Sequence, residues 1–270
     1  MESSSTQTVG SLLREWRQRR RLSQLDLSCD AGISSRHLSF LETGRSSPSR
    51  EMILLLAEQL KIPLRERNVL LTAGGFAPMF FERPLSAPAL QAARKAVDLV
   101  LAGHEPYPAL AIDRYWNLVA TNRAVPPLLA GADAVLLRPP VNVLRLSLHP
   151  AGLAPRIVNL SEWRTHLLER LRRQIELTAD STLVTLMNEL RTYPAANQLQ
   201  TDKSRQNRDY AGVIVPLELV TEVGVLAFFS TTTVFGTPVD ITLSELALES
   251  FFPADEATTE ILNRGPNLSR

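Results

Sequence analysis

The chain has 270 residues, a formal net charge of +1, 44% hydrophobic residues and 21% charged residues. This length and hydrophobicity favour two domains and exclude an intrinsically disordered protein. The single cysteine, Cys29, excludes an internal disulfide and a cysteine-rich metal site. The apolar run 212–229 is interrupted by Pro216, Glu218 and Glu222, so it predicts strands and not a membrane span. The first residues, MESSSTQT, lack a secretory-signal pattern, which predicts a cytoplasmic protein.

Charge is divided unevenly along the chain. Residues 14–50 hold eight arginines against four acids, whereas residues 240–260 hold six acids and no base. A basic N-terminal part joined to a mildly acidic remainder favours an anion-contacting module at the N-terminus. An ordinary solvated surface explains the charge pattern equally well, so charge alone does not decide.

Five short helices are predicted before residue 75. Apolar residues recur at helical spacing, and Ser23, Ser34 and Ser49 stand where the second, third and fourth helices need N-caps. Trp16 is predicted to lie in the core, and Cys29 to be a small core residue, with a redox role as the minor alternative. The five helices predict one compact all-α domain over residues 1–75.

A second domain is predicted beyond a linker. Residues 76–88 contain three prolines and little periodicity, so they form the predicted linker, and residues 89–270 form the second domain. Helices are predicted at 89–104, 161–180, 181–191 and near 254–262, and strands within 108–122, 213–219, 223–229 and near 246–252. Because 213–219 and 223–229 alternate with period two, the sheet is predicted to be antiparallel. The second domain is therefore predicted to be α+β, with helices packed on one side of the sheet.

The second and third helices have the spacing of a helix-turn-helix motif. Gln24 begins the first of the pair, Ala31-Gly32 form the corner, and the helix after Ser34 is the one that enters the major groove in such motifs. Ser34, Ser35 and Arg36 are its first residues, where base edges come within reach, and arginine can bind guanine bidentately. For Arg36 the alternative is a solvated surface arginine.

Phosphate contacts are predicted around the same helix. Gln24, the helix N-termini and Arg45, just past the second helix, are the expected phosphate ligands. His37 is predicted to contact a phosphate or to lie idle on the surface, in preference to reading a base.

The segment LSQLDLSCDAGISSRHLSFLETGRSSPS resembles the repressor-type helix-turn-helix domains of the Xre family over residues 9–74. The resemblance implies a five-helix, lambda-repressor-like domain that binds double-stranded DNA. It implies base contacts at Ser35, Arg36 and Phe40, with Ser34 and Ser39 adjacent, although the family's common version is rich in glutamine there. It also implies a structural ion pair between Arg17 and Glu42.

No pattern predicts catalysis. The chain contains no G-x-S-x-G, P-loop or G-x-G-x-x-G motif. Its four histidines have no neighbours at metal-ligand spacing. We therefore predict no catalytic residue, no metal and no cofactor, and a protein that is not an enzyme.

Several further motifs, in order, resemble the MmyB-like transcription regulators. They include PLRERNVLLTAGGFAP, PYPALAIDRYWNLVATN, NVLRLSLHPAGLAPRIVN and EWRTHLLERLRR, and the match extends from residue 9 to about residue 191. The resemblance implies that the second domain is a ligand-sensing domain related to the PAS fold. It also implies a small, hydrophobic, lipid-like ligand, with fatty acids as the leading candidates.

Polar residues within apolar segments are the candidates for holding such a ligand, since an acyl carboxylate needs a cationic or amide partner. Each has an alternative role: helix caps for Asn122 and Asn159, a surface site for Arg145, a turn for His149 and the core for Trp163. The polar or amphipathic candidates are Asn122, Arg145, His149, Asn159 and Trp163, and the apolar lining candidates are Val225, Phe228 and Phe229.

The sequence thus predicts a DNA-binding regulator that acts as a homodimer on a palindromic operator. Its effector is expected to change the spacing of two DNA-binding heads. One alternative is a regulator whose second domain is only a dimerisation scaffold without an effector. A third is an enzyme tethered to a DNA-binding head.

Overall fold

The computed structural model describes residues 7–194, 215–236 and 238–264, so the predicted start of a strand at Val213 lies outside the described residues. These residues fall into two compact units. The first comprises residues up to Pro84 together with 237–244, and the second comprises 85–236 with the remaining C-terminal residues. Much of the predicted linker therefore groups with the first unit, as does one short segment from late in the chain. Within the described ranges no helix is both long and apolar enough to cross a bilayer.

The first unit contains the five predicted helices. Ser23, Ser34 and Ser49 cap the second, third and fourth of them, each accepting a hydrogen bond from the backbone N–H three residues ahead. This satisfies a donor that the first helical turn leaves unpaired. The helices are α1 (Val9–Arg19), α2 (Gln24–Asp30), α3 (Ser35–Glu42), α4 (Arg50–Gln59) and α5 (Leu64–Ala73).

The core of the first unit consists of leucine and isoleucine side chains from all five helices, and Trp16 is buried among them as predicted. Cys29 is a correction, because its side chain is exposed. Leu27 and Ser28 are the buried residues of α2. One further residue turns the side chain by about 100° around a helix, which brings Cys29 to the outer side.

The second unit contains a five-stranded sheet in the order β2-β1-β5-β4-β3, and every neighbouring pair is antiparallel. The predicted combination of a five-helix head and an α+β domain with an antiparallel sheet is confirmed. The strands are β1 (Ala109–Ile112), β2 (Leu118–Thr121), β3 (Leu217–Thr221), β4 (Gly224–Val234) and β5 (Ala247–Pro253).

The remaining helices, apart from two short 3₁₀ turns at Pro88–Leu90 and Ala154–Arg156, follow in chain order. All of them belong to the second unit except α11, which belongs to the first. They are α6 (Gln91–Gly103), α7 (Val125–Leu128), α8 (Val143–Leu148), α9 (Leu160–Thr178), α10 (Ser181–Thr192), α11 (Ile241–Ser244) and α12 (Glu256–Asn263).

Helices lie on both faces of the sheet, which corrects the prediction of a single covered face. Successive residues of a strand point to opposite faces. Phe251 of β5 packs in the large apolar core with residues of α8, α9 and α10. Its neighbour Phe252 meets the ring of His104, at the end of α6, edge-on at 4.6 Å. The core of the second unit therefore lies between the sheet and α8–α10, and α6 covers the other face.

Candidate DNA interface and effector residues

The turn between α2 and α3 sets the direction of α3. Gly32 has φ +65°, a conformation that residues with a Cβ rarely adopt. The N–H of Ile33 then donates to Ser28 O at 2.9 Å, which closes the turn. Leu38 is fully buried on the inner side of α3. The opposite side of α3, which begins with Arg36, is left facing solvent.

Arg36 is the exposed cation at the start of this surface. Its guanidinium lies 5.4 Å from the centre of the Phe40 ring, and the guanidinium of Arg45 lies 5.9 Å from the same ring. Both distances suit a cation–π contact. Neither arginine pairs with a carboxylate in the part of the chain that the structure describes. Two uncompensated cations therefore flank one aromatic side chain.

The serines of α3 differ in what they can offer to DNA. Ser34 caps the helix by accepting from His37 N at 3.1 Å, which leaves its hydroxyl proton free to be donated. Ser35 Oγ lies 2.8 Å from Ser28 Oγ, and Ser28 donates its own proton to Leu25 O. Ser35 must therefore be the donor in the serine pair, so its hydroxyl can accept from a base amino group but has no proton left to donate to a phosphate. Ser39 is half-buried further along the same helix.

A buried ion pair ties α1 to the end of α3. Arg17 donates from Nε to Glu42 Oε1 at 2.6 Å and from Nη2 to Glu42 Oε2 at 2.8 Å. A third donor is Gln24 Nε2, at 2.8 Å from Glu42 Oε2. Burial alone would raise the pKa of Glu42, but the hydrogen bonds from Arg17 and Gln24 outweigh burial and lower that pKa. Three donors thus hold the carboxylate in its ionised form.

This arrangement bears on the predicted phosphate ligands. Gln24 uses one amide proton on Glu42, which holds the start of α2 next to the end of α3. Arg45 is exposed and follows Gly44, whose φ of +72° ends α3. His37 is half-buried. The roles of these three residues toward DNA stay predictions.

Asn122 is not the N-cap of a helix. α7 begins at Val125 with Ala124 at the cap position. The buried Asn122 side chain donates to Leu101 O at 3.2 Å and to Tyr107 O at 2.7 Å, and accepts from Ala109 N at 3.1 Å. It therefore fastens the end of α6 to β1 and has little hydrogen-bonding capacity left for a ligand.

Arg145 and His149 are brought together at α8, beside α10. Arg145 forms a bidentate pair with Glu189, with both N–O distances 2.7 Å, and this hydrogen bonding raises the pKa of Arg145. Glu189 also accepts from the Tyr193 hydroxyl at 2.6 Å. Burial, followed by that hydrogen bond, raises the pKa of Tyr193 to about 12. His149 packs edge-on against Tyr193 and accepts from Ala151 N in a turn.

Asn159 and Trp163 stabilise the first turns of α9. Asn159 occupies the N-cap position without a side-chain cap bond, and instead donates to Pro216 O at 2.8 Å and accepts from Glu218 N at 3.2 Å. Trp163 is buried, and its indole N–H donates to Ser147 Oγ at 3.0 Å. Both polar groups are therefore satisfied within the protein.

The apolar candidates on β4 lie on opposite faces of the sheet. Phe228 is fully buried in the core beneath α9. Phe229 is half-buried and stacks on Phe252 with ring centres 5.3 Å apart. Val225, four residues before Phe229, shares its face because strand side chains alternate. The three residues therefore cannot line one pocket on one face.

Sequence reasoning missed a polar group between α9 and the sheet. Arg170 of α9 pairs with the buried Glu249 of β5 at 2.5 Å and also donates to Thr232 Oγ1 at 3.1 Å. Its guanidinium lies 4.9 Å from the Trp116 ring centre. Among the described residues its Nε–H makes no hydrogen bond. Arg170 lies seven residues after Trp163 and therefore on the same side of α9. An arginine on the apolar side of this helix was the indication that the sequence offered.

A groove of about 550 Å³ lies in the first unit, and none of its lining residues belongs to α3. Its walls come from α1, α5, the segment after α5 and α11. The apolar lining residues are Leu12, Val69, Ala73, Phe80 and Ile241.

Two family models match the chain. A helix-turn-helix model matches residues 13–67, and the model of the MmyB-like transcription regulator ligand binding domain matches residues 93–264. The second match covers more than half of the chain. No curated protein matches it. Both models describe domains of transcription regulators and neither describes an enzyme family, so the resemblance stated from the motifs is confirmed for both parts.

Proposed function

The chain belongs to the MmyB-like transcription regulators, and from that membership we propose that α3 reads an operator while the second domain binds a fatty acid or a similar anionic, lipid-like effector. The helix-turn-helix domain makes the chain a DNA-binding regulator, and the second domain is its ligand-binding domain. The observation that carries operator reading is Arg36, an exposed, uncompensated cation at the start of α3.

Replacing Arg36 by alanine should weaken binding to the operator by about 1–3 kcal/mol and leave binding to unrelated duplexes nearly unchanged, because a base contact is sequence-specific. The operator would first be selected from a random duplex pool with the wild-type chain. Fluorescence anisotropy at fixed salt measures both affinities. Arg138→Ala, at an exposed arginine of the second unit, is the matched arginine control and should change neither. Equal losses on all duplexes would assign Arg36 to phosphate contact.

In the proposed assembly, a homodimer binds a palindromic operator. Each copy of α3 then enters the major groove of one half-site, and the two half-sites lie about 34 Å apart. The outer side of α6 supports a contact with a second copy, because Leu99 is 73% exposed and Val100 is also exposed. Sedimentation should give a dimer for the wild type and for Val135→Glu, an exposed control, and a monomer for Leu99→Glu. A dimeric Leu99→Glu variant would rule out this surface.

Arg170 is the best-supported anchor for the effector's carboxylate. Arg145 and Arg170 both pair with an acid, but Arg145 is the more exposed of the two, with 41% of its side chain accessible against 25% for Arg170. Arg170 also lies against Trp116 of the apolar core, and its Nε–H is unused among the described residues. Guanidinium binds carboxylates through charge-assisted hydrogen bonds. The acyl chain would then enter the core between the sheet and α9.

Mass spectrometry of gently purified protein, first native and then denatured, tests the effector class. We expect a stoichiometric adduct with the mass of a fatty acid, released on denaturation and reduced in Arg170→Gln. Ligand binding should also raise the melting temperature, by RT ln(1 + [L]/Kd) in free energy. A clean mass together with no thermal shift in palmitate would favour the alternative in which the second domain is only a dimerisation scaffold.

A further inference from the structure

One short segment from the second half of the chain belongs to the first unit. We call residues 238–244 the strap. The flanking strands β4 and β5 belong to the second unit, whereas the strap groups with the DNA-binding head. Only residues 235–237 separate the strap from β4, and only Glu245 and Leu246 separate it from β5. Connectors this short leave little slack, so a movement of either strand pulls on the strap.

Backbone and side-chain hydrogen bonds hold the strap to the segment after α5. Asp240 and Phe81 form a parallel β-bridge, and the N–H of Ile241 donates to Phe81 O at 2.8 Å. The hydroxyl of Thr242 donates to Arg83 O at 2.6 Å. The strap thus extends residues 81–83 as a short second strand would.

Residues 79–80 are in turn fixed to α5. Asn68 of α5 accepts from Met79 N at 2.9 Å and from Phe80 N at 3.0 Å, and donates to Phe80 O at 2.7 Å. These contacts form a continuous physical path from the strap through residues 79–83 to a helix of the DNA-binding head.

Burial distinguishes two neighbouring apolar residues of the strap. Ile241 is 3% exposed and lines the groove together with Leu12 of α1 and Val69 of α5. Val239 is 82% exposed. Docking of the strap therefore depends on the Ile241 side chain and not on Val239, which gives a matched pair for mutation.

Asp240 makes the docked position easy to release. One carboxylate oxygen, Oδ1, accepts from Thr242 N at 2.9 Å and stabilises the start of α11. The other, Oδ2, is buried and has no hydrogen-bond partner among the described residues, in a side chain that is 2% exposed. A buried acceptor without a partner is unfavourable, and this cost disappears when the strap leaves the groove and water reaches the carboxylate.

We propose that the strap is the element through which the ligand-binding domain controls the DNA-binding head. This inference rests on the proposed function, since it assigns the route by which an effector acts on α3. β4 is continuous from Phe228, in the core beneath α9, to Val234, and pairs with β5 along that whole length. An effector that displaces the β4–β5 hairpin alters the docking of the strap. Because the strap is linked to α5 through residues 79–83, the position of α5 in the DNA-binding head changes as well.

Hydrogen exchange of the full-length chain tests the coupling without ligand or operator. Phe228→Leu, in β4, should speed exchange at Ile241 and in α5 by about fivefold or more, the size of a typical coupling. Leu186→Ala, in α10, perturbs the same core away from the hairpin and should leave α5 unchanged. The two variants are compared under conditions in which the second unit is equally stable in both. If the amides of α5 then exchange at the same rate in Phe228→Leu and Leu186→Ala, the proposal is overturned.

Operator binding with and without palmitate tests the regulation. Wild type and Val239→Ser should show the same change in duplex affinity on adding palmitate, about 5- to 150-fold. Ile241→Ser and Thr242→Val should retain operator binding and lose most of that change. A full palmitate effect in both strap variants would overturn the proposal. If palmitate leaves the wild type unaffected, the fatty-acid assignment fails, and the exchange experiment decides on the coupling.

Discussion

Replacing Glu42 by alanine is expected to lower the free energy of unfolding of the first unit by roughly 3–5 kcal/mol, because Arg17 would remain buried without its partner. Arg17 directs two guanidinium N–H groups at Glu42 and would retain only its bond to Leu22 O. Gln24 would lose its acceptor as well. Urea unfolding of the full-length chain, followed by tryptophan fluorescence and circular dichroism, measures the change.

Glu15→Ala, the same substitution at an exposed ion pair, is the matched control for this prediction. Glu15 also faces an arginine, Arg19, but across 3.9 Å at the surface of α1. Exposed pairs contribute at most about 1 kcal/mol, so this variant should unfold almost like the wild type. Similar losses in the free energy of unfolding for the two variants would contradict the prediction that the buried pair matters more than the exposed one.

The same pair predicts a pH dependence. The pKa of Glu42 is lower in the folded chain than its ordinary value of 4.5. The stabilisation is therefore fully present above that ordinary pKa and is lost as the pH falls through the folded value. The wild type should lose stability on acidification more steeply than Glu42→Ala. If the free energies of unfolding of the wild type and Glu42→Ala fall in parallel as the pH drops below the ordinary carboxyl pKa, Glu42 is not the source of this pH dependence.

Phe228→Ala should lower the free energy of unfolding of the second unit by about 3–5 kcal/mol, because it opens a cavity in a well-packed core. Phe228 is fully buried and meets Phe251 edge-on, with ring centres 6.3 Å apart. Differential scanning calorimetry of the full-length chain should show an earlier transition for the second unit, with the transition of the first unit retained.

Phe229→Ala is the control, since it makes the same substitution at the next residue of β4. Phe229 is only half-buried and loses one stacked contact, with Phe252. Its effect should be clearly smaller than that of Phe228→Ala. The reverse order would mean that the second unit depends on the face covered by α6 more than on the core beneath α9.

The first domain could be predicted from the sequence because its signals are local. Ser23, Ser34 and Ser49 satisfy N–H groups only three residues away, so the sequence immediately around each helix start contains the information. The position of the turn depends likewise on Gly32 and its neighbours. The prediction that Cys29 is a core residue was wrong, since its side chain is exposed. An error of one residue in the phase of a helical period exchanges a buried position for an exposed one.

The ligand-binding domain was less predictable because its polar partners are distant in sequence. Arg145 pairs with Glu189, 44 residues later, and Arg170 with Glu249, 79 residues later. Local pattern gives the amphipathic stripe of α9 but not the acid that faces it. The sequence analysis named Phe228 and Phe229 together as lining residues, although neighbouring residues of a strand point to opposite faces. The observed helices show what covers each face.

The contact between Phe40 and its two arginines has a consequence for the thermodynamics of recognition. A free arginine side chain carries about 2 kcal/mol of rotamer entropy, part of which is lost when it binds. Because the Phe40 ring already restrains Arg36 and Arg45, some of that ordering has taken place before DNA arrives. Truncating Phe40 would then make operator binding entropically more unfavourable even where every hydrogen bond to DNA is retained, a change that calorimetry resolves and affinity alone conceals.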